Sequence, residues 1–540
     1  MTATASLILD DLRGHAGERP DAPAVIAVGP AGTRRELSWR GLKEEVDRVA
    51  AALLSLGVAA GEPVAFQLPN RIEFVTVALA TLRIGAVCEP LMPILRAREL
   101  RFMLRESNAR VFIVPAAFRG HDHLEMALAL QGELTALEHV VVLDAPGGRA
   151  SADGPSARAW DDLLAAASLD PEALEARRPD PDRIAQLLFT SGTSGEPKGA
   201  LHRHDVLTRA ADAHIRHFGL GPDDVIYVPS PLAHQTGFLY GMWIALRLGV
   251  PQVVQESWDA GVGLQAMRRF GVTFVQAATP FLADLVRATQ ATGERPERLR
   301  AFVATGAAVP RELAREAREA LDGEVGGAWG TTESCLGAAF APGDPPEKAW
   351  STDGRALDNV RLRVVDETGR PLPPGQEGHF EVRTDCLFEG YLNRPELTAE
   401  VLTADGYYRT GDLAKLDGDG YLHITGRVKD VINRGGEKVP VVEIEELLYQ
   451  HPAIREVAIV AMPDERLGER ACAFVVLESG AELDLPSVQQ YLAAHSVAKT
   501  YWPERLECAG ELPRTSSGKI QKYVLRDRAA RVRQRKAVPT

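Results

Sequence analysis

The chain has 540 residues, more than one hydrophobic core usually organises, so at least two domains are expected. Its 45% hydrophobic and 25% charged residues are those of a soluble globular protein, and a formal net charge of −13 argues against a broadly basic nucleic-acid-binding surface. Five cysteines without CxxC spacing imply reduced thiols in a cytoplasmic protein and no structural zinc, and neither a secretory signal nor a membrane-length apolar run is present.

From Leu37 to about Pro115, helical patterns ("LKEEVDRVAAALLSLG", "IEFVTVALATLRIGA") alternate with apolar strands ("EPVAFQL", "ARVFIVP"), the signature of an α/β domain with a mostly parallel sheet. Residues 144–158, rich in Gly, Ala, Ser and Pro, read as an exposed loop. Next comes "LLFTSGTSGEPKGA", residues 187–200. The apolar run Ala185 to Phe189 predicts a strand, and the segment from Asp205 predicts a helix with Leu207, Ala211, Ile215 and Phe218 on one face. A glycine- and hydroxyl-rich loop between strand and helix can turn several N–H and O–H groups toward one anion, although alone it also reads as a surface loop. It is not a Walker A loop, because Lys198 follows Pro197 and precedes Gly199.

Alternation resumes through "DVIYVPSP", "VPQVVQ", "GVTFVQAATP" and "LRAFVATG". After about Arg361 the pattern turns to strands and tight turns, including "GDLAKLDGDGYLHITGR", two strands joined at Asp417-Gly418-Asp419-Gly420. A last change falls at Arg427 to Asp430, followed by helix, strand, strand, helix and the loop "PRTSSGKIQK".

Five stretches carry residues suited to chemistry. The loop around Lys198 is the first. In "GAWGTTES", the Glu333 carboxylate can hold a hard cation and Trp329 can lie against a flat ring. In "GYYRTGDLA", Asp412 can accept from vicinal hydroxyls or cap a turn. Arg427 closes the following hairpin, Lys429 stands at the domain junction, and Gly435-Gly436 permits close backbone approach. Lys519 projects from the C-terminal Ser/Gly loop, where a lone lysine would be a surface charge.

In type, order and spacing these stretches resemble the adenylate-forming superfamily of acyl-CoA synthetases, luciferases and adenylation domains, from Leu37 to Lys519. The resemblance implies an α/β fold: a large N-terminal domain (1–427) of mixed α/β sheets with a β-barrel-like subdomain, and a small mobile α+β domain (428–540). It implies that Thr190, Ser191, Gly192, Thr193, Ser194, Gly195 and Lys198 handle the β- and γ-phosphates of ATP. Gly306, Ala307, Gly330, Thr331 and Thr332 complete the nucleotide pocket. Trp329 flanks the adenine in place of the more usual Tyr, Asp412 holds the ribose, Arg427 contacts the nucleotide, and Glu333 binds Mg²⁺. Lys519, with Glu333, Thr190 and His234, is assigned to catalysis, Lys429 to a hinge, and Gly435 and Gly436 to coenzyme A.

The stretch "PSPLAHQTGFLYGMW" matches the segment that lines the acid pocket, with His234, Gly237 and Phe238 joined by Ala304, Gly306 and Gly330. No acidic residue lies between Pro231 and Met242, which disfavours an α-amino acid. The expected activity is therefore AMP-forming carboxylic acid:CoA ligation of a hydrophobic acid (medium-chain, alicyclic or aryl), similar to bacterial cyclohexanecarboxylate–CoA ligase-like enzymes. ATP, Mg²⁺ and coenzyme A are its small-molecule partners, and the chain acts alone or as a homodimer. Two rivals are an acyl-AMP ligase that loads a separate carrier protein, and a non-catalytic binding relative, against which Glu333 and Lys519 speak.

Overall fold

A computed structural model describes residues 7–29, 32–145, 157–190, 197–305, 311–434, 437–464, 466–514 and 519–536. Most of the expected loop at 144–158 lies outside them.

Two large sheets form the N-terminal part. In the eight-stranded sheet the strands Pro63–Phe66, Val87–Pro90, Val111–Pro115 and His139–Leu143 run parallel. Every residue of Val111–Pro115 is buried, as parallel strands covered on both faces require. Val111 and Ile113 join the core beneath helices Trp39–Ser55 and Ile72–Arg83, while Phe112 and Val114 join the core beneath Ala97–Ser107 and His123–Glu133. The period-2 alternation of a strand thus feeds two separate cores.

The nine-stranded sheet has a parallel centre, including Ile226–Val228, Phe274–Ala278, Ala301–Thr305 and Glu324–Thr331, and antiparallel additions at both edges. Ala278 lies opposite Thr305, and Thr305 opposite Ala328, so three carboxyl-terminal strand ends stand side by side. Such edges are where open α/β sheets bind ligands.

The segment around Lys198 departs from the expected strand, loop and helix. Ile184–Thr190 is a strand, but Lys198–Arg203 returns antiparallel to it, with Thr190 opposite Lys198, before the helix His204–Phe218 begins. Lys198 therefore begins a strand, and the helix starts six residues later at His204. The helix ends at Gly219 in the left-handed region, where the Leu220 N–H bonds the Ile215 carbonyl. Its buried face includes His214, whereas Ile215 is half-buried.

The strand-rich region after Arg361 folds as a four-stranded antiparallel sheet of Val360–Val365, Gly378–Thr384, Tyr408–Leu416 and Leu422–Arg427. A 3-10 turn, Val428–Asp430, then leads into a five-stranded sheet with helices Val441–Tyr449, Leu485–Ala494 and Lys522–Lys536. This unit has its own core on both faces: Ile459, Ala473 and Val475 pack with Val488 and Leu492, and Val460, Phe474 and Val476 pack with Leu525 and Ala529. Among the described residues no helix is long and apolar enough to cross a membrane. The five cysteines are free, and four are buried.

Candidate active site

Asp412 is the anchor. It sits in Tyr408–Leu416 opposite Arg427 and is only 3% exposed. A carboxylate so withdrawn from water needs partners, and each of its oxygens has one. Arg427 Nε lies 3.0 Å from Oδ1, and the Trp329 indole N–H donates to Oδ2 at 2.9 Å. The indole is seated by its surroundings: Phe380 meets it edge-on at 4.7 Å, and a Cβ on Gly337 would fall 2.6 Å from the ring. Glycine at 337 is what lets the large ring lie across its neighbouring strand. Beside this pair, burial and the Asp412 charge push the Asp353 carboxyl up to about 6.

Glu333 leaves the turn after Glu324–Thr331. The Tyr391 hydroxyl donates to its Oε1 at 2.7 Å, and Lys198 Nζ stands 5.0 Å over the Tyr391 ring. Burial, then the Glu333 charge, raises the Tyr391 phenol well above its ordinary range, so it remains a donor. The turn is pinned from below, where buried His202 donates from Nε2 to the Thr332 carbonyl at 2.8 Å. The Ser334 N–H donates to Thr331 Oγ1 at 3.1 Å. Gly330, Thr331 and Thr332 form the partly exposed wall of this turn, and Thr190 donates across the hairpin neck to the Lys198 carbonyl at 3.4 Å.

His234 comes from a third element. The Asn70 side chain donates to the Ser230 and Val228 carbonyls at 2.8 and 3.2 Å and accepts from the Leu232 N–H at 2.8 Å, fixing the loop that carries the histidine. His234 Nδ1 then accepts from the Thr236 N–H at 3.2 Å. Gly237 permits the close fold, since a Cβ there would lie 2.3 Å from the Pro231 carbonyl oxygen. Burial, with the Lys519 charge second, holds His234 down to about 3, so the ring is neutral.

Lys519 arrives from the C-terminal unit. Burial and the Arg427 charge lower its pKa, and the charges of Asp412 and Glu333 oppose that fall. A lysine about ninety residues beyond the last strand of the large part is thus within electrostatic reach of His234, Arg427, Asp412 and Glu333. Lys429 is exposed in the 3-10 turn, with its carbonyl accepting from Arg526 at 2.6 Å. Phe238 and Ala304 are buried near the strand ends. Ser191, Gly192, Thr193, Ser194, Gly195, Gly306, Ala307, Gly435 and Gly436 lie outside the described residues.

Tyr391 and Asn70 are the residues that sequence reasoning missed. Tyr391 carries only the weak signal of an aromatic after a glycine in "FEGYLN", and Asn70 none. Among the described residues no three or more His, Cys, Asp or Glu side chains group as a metal cage. A single carboxylate at a hydroxyl-rich turn does fit a magnesium ion held chiefly by phosphate and water oxygens.

The AMP-binding enzyme family model matches residues 12–392, and the model of its C-terminal domain matches residues 443–519. The chain is 36% identical over 508 residues to the medium-chain fatty-acid–CoA ligase of Escherichia coli (strain K12), covering 94% of this chain and 88% of that protein. Among solved structures, the anthranilate CoA ligase AuaEII in complex with anthranoyl-AMP superposes with a TM-score of 0.87 at 26% identity, covering 99% of each chain. ATP-bound MatB from Rhodopseudomonas palustris superposes with a TM-score of 0.84 at 28% identity, covering 98% of this chain and all of that one. With its large and small units both matched and the converging side chains in place, the chain belongs to the AMP-binding enzyme family and is an AMP-forming acid–thiol ligase.

Proposed function

We propose that the protein is an ATP-dependent carboxylic acid:CoA ligase acting in two steps, through an acyl-adenylate, on a hydrophobic acid of medium-chain, alicyclic or aryl type. The observation that carries this reading is the convergence of Lys519 with Asp412, Arg427, Glu333 and His234. A binding module would need neither the lysine nor the glutamate. The names of its relatives, a fatty-acid ligase and an anthranilate ligase, support a hydrophobic acid body without choosing between alkyl and aryl.

In the first step a carboxylate oxygen attacks the α-phosphorus of ATP, the bond to the bridging oxygen breaks, and pyrophosphate leaves. The acid and the phosphate are both anions, so positive charge must be placed where their repulsion grows. We assign Lys519 to bridge the carboxylate and the α-phosphate, and the hairpin loop with Lys198 to the β- and γ-phosphates. Magnesium at Glu333 would screen the phosphate oxygens. Asp412 and Arg427 would hold the ribose side, with the Trp329 indole against the adenine. Neutral His234 would stand at the carboxylate end of the acid pocket.

In the second step the thiol of coenzyme A gives up its proton to solvent and attacks the acyl carbon, the bond from that carbon to the phosphate oxygen breaks, and AMP departs. Different groups are needed at that carbon, and rotation of the small domain (428–540) about Lys429 would exchange them, bringing Gly435 and Gly436 to the pantetheine channel.

The test is pyrophosphate release with ATP, Mg²⁺ and a panel of carboxylic acids, run with and without coenzyme A. Acid-dependent release followed by thioester formation is expected. Release without a thioester would redirect the reading to a carrier-protein acceptor, and no release with any acid would refute it.

A further inference from the structure

Three buried side chains, His234's neighbour Gln235 among them, have polar atoms without a partner in normal hydrogen-bond geometry among the described residues. Gln235, immediately after it, is 2% exposed. Gln276, in the strand Phe274–Ala278, is 3% exposed. His214, on the helix His204–Phe218, is fully buried. Both amide atoms of each glutamine, and both ring nitrogens of the histidine, have no hydrogen-bond partner among the described residues. A buried amide or imidazole in that condition is costly, and several in one region call for an explanation.

They belong to one neighbourhood. The short helix Gln235–Gly237 and the π-helical segment Phe238–Trp243 that continues it both pack on the strand Phe274–Ala278, and the π-helical segment also packs on the helix that carries His214. His214 stacks on Tyr240 of the π-helical segment at 5.2 Å and meets Phe274 edge-on at 5.7 Å. Gln276 shares the strand face of Phe274, because side chains two apart point the same way. In register it stands opposite Val303, which lies in the same core as Phe274 and Phe238. Gln235 interacts with the Cys335 thiol, a weak partner only two residues from Glu333. A π-helical turn at this point is itself a departure common at ligand sites.

We propose that the acid carries a hydroxyl or amino substituent on a compact apolar body, and that Gln235 and Gln276 select it, with His214 behind them. The aromatic and aliphatic neighbours Phe238, Tyr240 and Phe274 would enclose the body while the amides donate to and accept from the substituent. A site built to hydrogen-bond such a group discriminates strongly against the analogue that lacks it, since its own buried groups are then left unpaired. The inference rests on the ligase reading and narrows its acid.

The experiment compares kcat/KM, by pyrophosphate release, for benzoate, 2-, 3- and 4-hydroxybenzoate, 2-aminobenzoate, cyclohexanecarboxylate, hexanoate and octanoate. At least one hydroxyl- or amino-bearing acid is expected to exceed benzoate and the alkanoates by tenfold or more. Gln235→Met and Gln276→Met, which keep length and remove hydrogen bonding, should each shrink that ratio by tenfold or more. Equal or better turnover of the unsubstituted acids by the wild-type protein would overturn the inference while leaving the ligase reading intact, whether or not the variants fold. Absence of pyrophosphate release with every acid would instead strike the ligase reading itself.

Discussion

The indole N–H of Trp329 and the Oδ2 of Asp412, 83 residues apart, are joined by a 2.9 Å hydrogen bond inside the protein. With Arg427 on the other oxygen, the bond fixes the plane of a carboxylate that would otherwise be free to turn. Trp329→Phe keeps an aromatic wall and deletes the donor, leaving a buried acceptor oxygen unmatched, a loss of about 1–3 kcal/mol. The KM for ATP should rise roughly 5- to 150-fold, with kcat changed less. Gly337→Ala, which intrudes on the ring, should shift ATP affinity the same way. If the folded Phe variant binds ATP as well as wild type, the bond is structural only.

Lys519→Ala should lower adenylate formation by on the order of 10²–10³, the usual cost of removing one stabilising charge or donor from a transition state. Thioester formation from supplied acyl-adenylate should fall far less. Measuring the two half-reactions separately checks this, and equal losses in both would contradict the bridging role.

The hinge prediction comes from Arg526, which donates to the Lys429 carbonyl at 2.6 Å and pairs with Asp430 at 3.0 Å. These contacts hold the 3-10 turn against the last helix in the arrangement where Lys519 faces the site. Arg526→Ala should therefore weaken adenylate formation several-fold and spare or speed the thiol step. Lys429→Pro, which fixes φ in the turn, should act oppositely, blocking the thiol step more than the first. A normal overall rate for the proline variant would remove Lys429 from the hinge.

Much of the scaffold was legible in the sequence because its signals are local. The apolar run in "ARVFIVP" and the turn at Asp417 to Gly420 each report on their immediate neighbours. The hairpin at Lys198 was not legible, because "KGALHR" has little period-2 contrast and becomes a strand only through pairing with Ile184–Thr190. The expected face of His204–Phe218 packs on the core, with Leu207, Ala211 and Phe218 buried and Ile215 half-buried, but the pattern counts His214 as polar, while the fold buries it against Tyr240 and Phe274. At the candidate site, Glu333, Asp412 and Lys519 are assigned by resemblance. Their partners Tyr391 and Trp329 depend on contacts made across 58 and 83 residues, which no local pattern records.

Tyr391 should matter to the metal requirement. Its hydroxyl donates to one oxygen of Glu333, and on the proposed reading the other oxygen would hold the cation. Glu333→Gln removes the anionic ligand and should raise the Mg²⁺ concentration for half-maximal rate about tenfold or more. Tyr391→Phe leaves the carboxylate less well oriented and should raise it by a smaller factor. Magnesium titrations of both variants at saturating ATP check the order of effects, and an unchanged requirement in the Gln variant would exclude Glu333 as a ligand.

The last prediction concerns Glu89, which no proposed step uses. It lies fully buried in Val87–Pro90, opposite Ala65, and neither carboxylate oxygen has a partner in normal hydrogen-bond geometry. Burial pushes its pKa up to about 8, with the Ser107 hydroxyl offsetting this only in part. The folded protein therefore carries one more proton than the unfolded chain between about pH 4.5, the ordinary glutamate value, and pH 8. By linkage, the contribution of this group is full below the lower value and is lost as pH rises through the upper one. Glu89→Gln abolishes the titration. Its stability relative to wild type should improve across that window by about 1.4 kcal/mol per pH unit and then level off. The buried histidines titrate alike in both proteins and cancel in the difference. Urea unfolding at pH 5, 6.5 and 8 reads the slope directly, and a difference constant with pH would mean that Glu89 is not held neutral in the core.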